Sequence, residues 1–240
     1  MAHNRDPYKD IANTYDAIMG ERDEVQLLLK LVRKAHPNAK TILELGCGTG
    51  TLLKPFARQY AVSGIDTSLP MLKKARKQIP DGEFFQQDMT TFRTNKRYDV
   101  ILCLFNSLNH HQRFSEWQST FSQCKKHIEK GGIFIFDIVT PLSIKNNSNN
   151  PVRFEKQNGH TMITEFAALP NDTLKMDISV FTHIKNQTYS LKETAIIEKA
   201  YPTQKIKAEL RKNFSKFRVI DPHRKKAGAY SEVLYFVCTP

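Results

Sequence analysis

Three alternating glycines, three acids and a histidine pair are the residues of this 240-residue chain whose types and spacing suit chemistry. Gly46, Gly48 and Gly50 follow directly on the apolar run of Ile42, Leu43 and Leu45. Glycine permits positive φ and leaves no Cβ between backbone and ligand, while the free N–H groups of a following helix face the same place. Glu44 precedes the loop. Asp66 closes a second apolar run, Ala61 to Ile65, about 20 residues after the first glycine, which suits an acid that grips a ribose diol. Asp88 follows a third run, Glu83 to Gln86. His110 and His111 end the stretch LCLFNSLNHH. A histidine near its ordinary pKa of about 6.5 can take a proton at neutral pH.

The loop excludes two common nucleotide sites. A dinucleotide fingerprint counted from Gly46 would put its third glycine at Thr51, and no Gly-Lys-Ser/Thr end follows for a phosphate loop. The pattern is E-x-G-x-G-x-G, Glu44 to Gly50. It resembles the first motif of class I S-adenosylmethionine-dependent methyltransferases. Three further segments resemble that family in order: Asp66-Thr67-Ser68 with Met71-Leu72 and Ala75-Arg76; Gln87-Asp88-Met89; and Tyr98-Asp99-Val100-Ile101 with the loop beyond it. The resemblance implies S-adenosylmethionine as cofactor and S-adenosylhomocysteine as product. It implies cofactor contacts from Tyr8, Tyr15, Glu44, Gly46, Cys47, Gly48, Gly50, Asp66, Thr67, Met71, Asp88, Met89, Leu104 and Phe105. The acceptor would meet Asn106, Asn109, His110 and His111. His110 is the expected proton acceptor or orienting group, with Tyr15 opposite it.

Elements must position these groups. Strands are predicted at 41–46, 61–66, 83–87, 98–105 and 132–138, and helices at about 50–59, 68–78 and 115–129. Gly131-Gly132 is expected to end the last helix. This alternation argues a parallel doubly wound sheet with ligands at the C-terminal strand ends. Tyr8, Ile11, Tyr15 and Ile18-Met19 recur at helix-like spacing; their run resembles the family's N-terminal lid. Val25, Leu28, Leu29 and Val32 mark a second helix. The polar run of residues 145–151 reads as a break. From Val152 to Glu198 the period falls to two, with Asn171-Asp172 and Asn186-Gln187 between runs, which predicts about four antiparallel strands. They would pack over the mouth of the main sheet or against a second subunit, as in a homodimer. A helix to about Arg211 and strands at 214–220 and 232–238 follow, the last antiparallel. The expected fold is a Rossmann-like, doubly wound, seven-stranded mixed sheet with a helical lid and an inserted antiparallel sheet. Its segments are 1–144, lid and core; 145–200, the insertion; and 201–240, the closing helix and strand pair.

Composition sets the class. No apolar run is long enough for a membrane span, and the first residues have no signal-peptide core, which points to the cytoplasm. Four cysteines, none at C-x-x-C spacing, suit buried free thiols and not zinc. Adjacent histidines seldom chelate alone, so no metal is expected. The net charge of +12 points to an acidic partner. Ten Lys/Arg stand between Lys199 and Lys226 against Glu209 and Asp221.

Three functions follow for testing. The first is methylation of a small molecule, at an amine. Q-D-M-x-x-F-R at Gln87 to Arg93, L-F-N-S at Leu104 to Ser107 and H-I-E-K-G-G at His127 to Gly132 resemble N-methyltransferases of nucleotide-linked amino sugars; glycine and sarcosine N-methyltransferases share similar pieces. A sugar diphosphate would use some of the positive charge. The second is RNA methylation through the basic C-terminal region. The third is a non-catalytic binding module, against which the intact acids and glycines argue. Missing N/D-P-P-Y and Pro-Cys signatures argue against methylation of adenine amines and of cytosine C5.

Overall fold

The structure, a computed structural model, describes residues 6–20 and 24–240. The first five residues and 21–23 of the expected lid and second helix lie outside them. The glycine loop follows β1 (Thr41–Leu45). Beyond it come α3 (Leu53–Phe56), β2 (Ala61–Asp66), α4 (Leu69–Gln78), β3 (Glu83–Gln86) and β4 (Tyr98–Cys103). A 3-10 turn, Ser107–His110, leads to α5 (Phe114–His127) and β5 (Ile128–Val139). The chain closes with α7 (Thr203–Asn213), β10 (Lys216–Ile220) and β11 (Val233–Thr239), after elements α6 and β6 to β9 given below. These strands form one seven-stranded sheet in the order β10-β11-β5-β4-β1-β2-β3. β1 to β5 are parallel; β11 runs antiparallel to both β5 and β10. Strand order reverses between β1 and β4, which opens the binding crevice at their C-terminal ends.

The core strands are apolar on both faces because helices cover both. Leu43, Ile101, Phe134 and Phe136 pack with Trp117 and Phe121 of α5 and Leu210 of α7. Ile42, Val100, Leu102, Ile133 and Ile135 point the other way, onto Leu53, Phe56 and Leu72, and onto Leu28 and Val32 of α2 (Glu24–Ala35). Phe136 and Phe236 stack at 4.7 Å with planes 3° apart, joining the antiparallel strand to the parallel ones.

Four elements depart from the sequence expectation. The predicted helix 50–59 shrinks to α3, since Gly50 sits at φ +79° and Pro55 has no N–H to extend the ladder. Residues 7–14 form turns, and only α1 (Tyr15–Met19) is helical in the lid. Gly131-Gly132 does not end α5, which stops at His127; the pair lies inside β5. Pairing there shifts from Tyr98 with Ile128 to Val100 with Ile133, and a Cβ on Gly132 would sit 2.8 Å from the Asp99 carbonyl. The polar run at 145–149 is no break but the end of α6 (Pro141–Asn149), which Thr140 caps through Ser143 N–H.

The insertion is a four-stranded antiparallel sheet of β6 (Val152–Gln157), β7 (His160–Leu169), β8 (Thr173–Lys185) and β9 (Thr188–Lys199). Asn158-Gly159, at φ 49° and 78°, makes the two-residue turn that the sequence signalled but the periodicity argument passed over. Ile11 and Ile18 pack on Val180 of β8, so the N-terminal segment is held between the two sheets.

Candidate active site

The glycine loop is built by its neighbours. Gly46 lies at φ +70°, and a Cβ there would sit 2.6 Å from Ser107 Oγ of the loop after β4. The two loops therefore touch only because residue 46 has no side chain. A Cβ on Gly48 would meet nothing within 4 Å, so this side of the loop opens outward. Gly46 and Cys47 donate their N–H groups to the Ile65 carbonyl, at 2.8 and 3.0 Å. The Cys47 side chain turns back onto β2 at Gly64, and burial pushes its thiol well above the usual range. Only backbone of Cys47 borders the crevice side of the loop.

Asp66 holds the loop from the next strand. Its carboxylate accepts the N–H of Gly48 and of Ser68, each at 2.8 Å, tying the loop to the start of α4. Burial raises its carboxyl, and these N–H groups oppose the rise. Thr67 is exposed beside it, and Met71 is on the buried face of α4. Asp88 is exposed and caps its own turn through Thr90 N–H and Oγ1, both 2.7 Å away. Met89 reaches inward, 3.9 Å from Cys103 Sγ and close to Gly46. Leu104 is buried under the loop that follows β4.

The N-terminal segment is latched over this end of the sheet by a residue that the sequence did not single out. Asp16 accepts hydrogen bonds from Thr49 Oγ1 (2.5 Å), Thr51 Oγ1 (2.9 Å) and Gln78 Nε2 (2.8 Å). Tyr8 Oη and His110 Nε2 are 3.0 Å apart. Tyr15 lies edge-on to Tyr8, with ring centres 5.8 Å apart. The hydroxyl on His110 is thus that of Tyr8, where the sequence pointed to Tyr15. Asp16 carried no signal beyond the pairing of an acid with Tyr15 in a helix-like run.

The loop after β4 is shaped by a second unforeseen acid. Phe105 and Asn106 both take positive φ, 56° and 60°, rare for side-chain-bearing residues. Asp137 of β5 accepts both of their N–H groups, at 3.0 and 2.9 Å. Asn109 is fully buried, and its amide binds the backbone of Val139 and Lys199, stapling β5 to β9. It acts as a strut between sheets, with its amide committed to backbone. Burial lowers His110 to about 4, helped by His111, so its imidazole is neutral at pH 7. His111 is also lowered by burial. Glu198 of β9 is buried, and burial raises its carboxyl to about 8.

These acids define the electrostatics. Glu44 is 2% exposed and acts on the thiols of Cys47 and Cys103; Asp66 acts on Cys47 and Asp137 on Cys103. Carboxylates gathered at the ends of three strands make this end of the sheet acidic, which favours a cationic ligand. A sulfonium or an ammonium suits this set. Among the described residues no group of His, Cys, Asp and Glu could hold a metal ion, and no helix is long and apolar enough to cross a membrane.

The fold is the Rossmann-like methyltransferase fold, and residues 42–132 match the family model described as a methyltransferase domain. Over its full length the chain is similar to an S-adenosylmethionine-dependent methyltransferase from Clostridium acetobutylicum (TM-score 0.83, 20% identity, 97% of this chain and 98% of that one). It is also similar in structure to DesVI of Streptomyces venezuelae (TM-score 0.77, 21% identity, 96% and 94%). In sequence it is 30% identical over 134 residues to the dTDP-3-amino-3,4,6-trideoxy-alpha-D-glucopyranose N,N-dimethyltransferase of Streptomyces venezuelae, covering 53% of this chain and 56% of that enzyme. It is 28% identical over 134 residues to the dTDP-3-amino-3,6-dideoxy-alpha-D-glucopyranose N,N-dimethyltransferase of Streptomyces fradiae, covering 53% and 52%. The chain thus spans about half the length of these curated relatives.

Proposed function

We propose that this chain transfers the methyl group of S-adenosylmethionine to the amine of a nucleotide-linked amino sugar. The observation that carries the cofactor is the gathering of the Glu44, Asp66 and Asp137 carboxylates at the strand ends beside an open glycine loop. The relatives named for dTDP-amino sugar dimethylation support the acceptor. When bound, S-adenosylmethionine supplies a methyl already activated on a sulfonium. The chain's own task is then to align the amine and exclude water, which alone can supply much of a rate.

In this proposal Asp66 takes the ribose hydroxyls and Asp88 the adenine edge, with Met89, Leu104 and Phe105 along the base. Gly46, Gly48 and Gly50 bring the backbone close, and Glu44 offsets positive charge. Tyr8 and Tyr15 cover the crevice. A histidine at about 4 is a poor proton acceptor for an ammonium, so His110 orients the amine in concert with Tyr8. If residues 7–20 are a lid, their amides will exchange faster without cofactor and slow when it binds. Hydrogen exchange read by mass spectrometry checks this; equal protection in both states would make the segment a fixed part of the core.

A cleft of about 450 Å³ lies at the free edge of the main sheet, lined by Lys207, Asp221, Arg224, Lys225 and Lys226. β10 runs in the same sense as β5, so this cleft opens at the same strand ends as the crevice. It is about 14 Å from β4, three strand spacings away. Its cations suit the phosphates of the acceptor. The test is incubation with S-adenosylmethionine and a panel of amino sugars, with and without a nucleoside diphosphate, read by mass spectrometry. Methyl addition to the nucleotide-linked amines is the expected result, and no transfer to any amine overturns the proposal. Replacing Lys225 and Lys226 by Glu should raise KM for the linked sugars about tenfold, roughly 1.4 kcal/mol, and leave the free sugars unchanged.

A further inference from the structure

The N-terminal segment faces two bodies. Its Ile11 and Ile18 pack on the inserted sheet at Val180, while Asp16 reaches the core. One carboxylate there takes three donors: Thr49 Oγ1 at 2.5 Å, Thr51 Oγ1 at 2.9 Å and Gln78 Nε2 at 2.8 Å. The two hydroxyls lie 2.9 Å from each other, and Gln78 also donates to the Thr49 carbonyl at 3.2 Å. Hydrogen bonds to a charged acceptor are roughly twice as strong as neutral ones, so this set fixes geometry. Thr49 is 1% exposed and stands between Gly48 and Gly50. The glycine loop is thus gripped from two sides. Asp66 accepts the Gly48 N–H from β2, and Asp16 accepts the threonine hydroxyls from the N-terminal segment. Tyr15 precedes Asp16 in the chain, Tyr8 lies edge-on to Tyr15, and Tyr8 Oη is 3.0 Å from His110 Nε2. A line of contacts therefore runs from the glycine loop, through Asp16 and the two tyrosines, to His110.

We propose that Asp16 is a positioning residue that sets the Tyr8–His110 pair in register with the glycine loop. This rests on the proposed function, in which the loop holds the methyl donor and the pair meets the acceptor amine. Transfer then needs the amine in line with the bond between methyl and sulfur, and a misplacement of about 1 Å costs about a hundredfold. In this role Asp16 acts through Tyr15 and Tyr8 and touches neither reactant. The inserted sheet holds the segment as well, by Val180 on Ile11 and Ile18 and by Asn158 Nδ2 on the Ala17 carbonyl at 3.0 Å. Those contacts refer the tyrosines to the insertion. Asp16 refers them to the loop.

The experiment compares Asp16→Ala, the pair Thr49→Val with Thr51→Val, and all three substitutions together. Valine keeps the branched shape of threonine and removes the hydroxyl. Asp16→Ala and the threonine pair should each lower kcat for the acceptor about tenfold, and the combined variant should fall no further, since both remove one shared contact. Cofactor affinity by calorimetry should change less than about threefold, because Asp66 keeps its hold on Gly48. Losses that multiply, or an unchanged kcat in Asp16→Ala, overturn the inference. Equal losses in kcat and cofactor affinity also overturn it and make Asp16 a general prop of the fold. A second measurement needs no acceptor and leaves position 16 intact. The imidazole nitrogen resonances of His110, assigned by their loss in His110→Asn, should shift in the threonine variant, although its substitutions lie on the glycine loop and leave Tyr8 in place. Unmoved resonances overturn the inference too. If no amine is methylated at all, the proposed function fails instead, and the resonances still report whether the loop reaches His110.

Discussion

Asp66→Ala is expected to weaken S-adenosylmethionine binding by about ten- to a hundredfold. Charge-assisted hydrogen bonds of the kind Asp66 would make to a ribose are worth roughly 1.5–3 kcal/mol, and each 1.4 kcal/mol is tenfold. The carboxylate has a second role that pushes the effect toward the upper end. It already receives the N–H groups of Gly48 and Ser68 at 2.8 Å, so its removal loosens the loop it shapes. Calorimetry with the cofactor measures the loss, and circular dichroism checks that the fold persists. An unchanged affinity would falsify the ribose assignment.

Asp137→Asn is expected to separate turnover from cofactor binding. Phe105 and Asn106 hold strained positive-φ conformations, each costing of order 1–3 kcal/mol. Two charge-assisted bonds to Asp137 keep them there. An amide at 137 would face one of the two N–H groups with its own NH2, leaving a donor against a donor. We expect kcat/KM for the acceptor to fall about a hundredfold, equivalent to roughly 3 kcal/mol, with cofactor affinity changed less than about threefold. Steady-state kinetics beside calorimetry decide it. Equal losses in both quantities would mean that Asp137 shapes the cofactor pocket and not the acceptor side.

The sheet and the glycine loop were legible because each rests on local signals. Ile42 and Leu43 point to opposite faces of a doubly covered sheet, so the run reads as a buried strand whichever neighbours it finds. Gly46 is required by a contact with Ser107, yet its motif announces it without knowledge of that contact. The acids behaved differently. Asp16 and Asp137 get their roles from partners far along the chain: Thr49 and Gln78 for the first, Phe105 and Asn106 for the second. Single-sequence periodicity cannot pair them. A weaker signal was present, since Asp137 directly follows the apolar run Ile133 to Phe136 and precedes Ile138 and Val139, and an acid there needs a reason. The lid was legible in its residues but not its shape. Tyr8 and Ile11 are spaced as in a helix, while their partners on the inserted sheet hold them in turns.

The latch of the N-terminal segment also fixes an order of events. Its Pro7 carbonyl receives Thr194 Oγ1, its Ala17 carbonyl receives Asn158 Nδ2 at 3.0 Å, and Asp16 grips the glycine loop. The segment leaves the ribosome before the surface it docks on, which is complete only after β9 has been made and paired. Contacts between residues so distant in the chain are the slow ones to form. The glycine loop and its sheet can condense first, while Tyr8 and Ile11 wait as exposed apolar side chains on an unplaced tail, the kind of surface that invites aggregation. The crevice is therefore the last part of the molecule to be closed in its biogenesis, by a segment that was synthesised before the sheet it docks on.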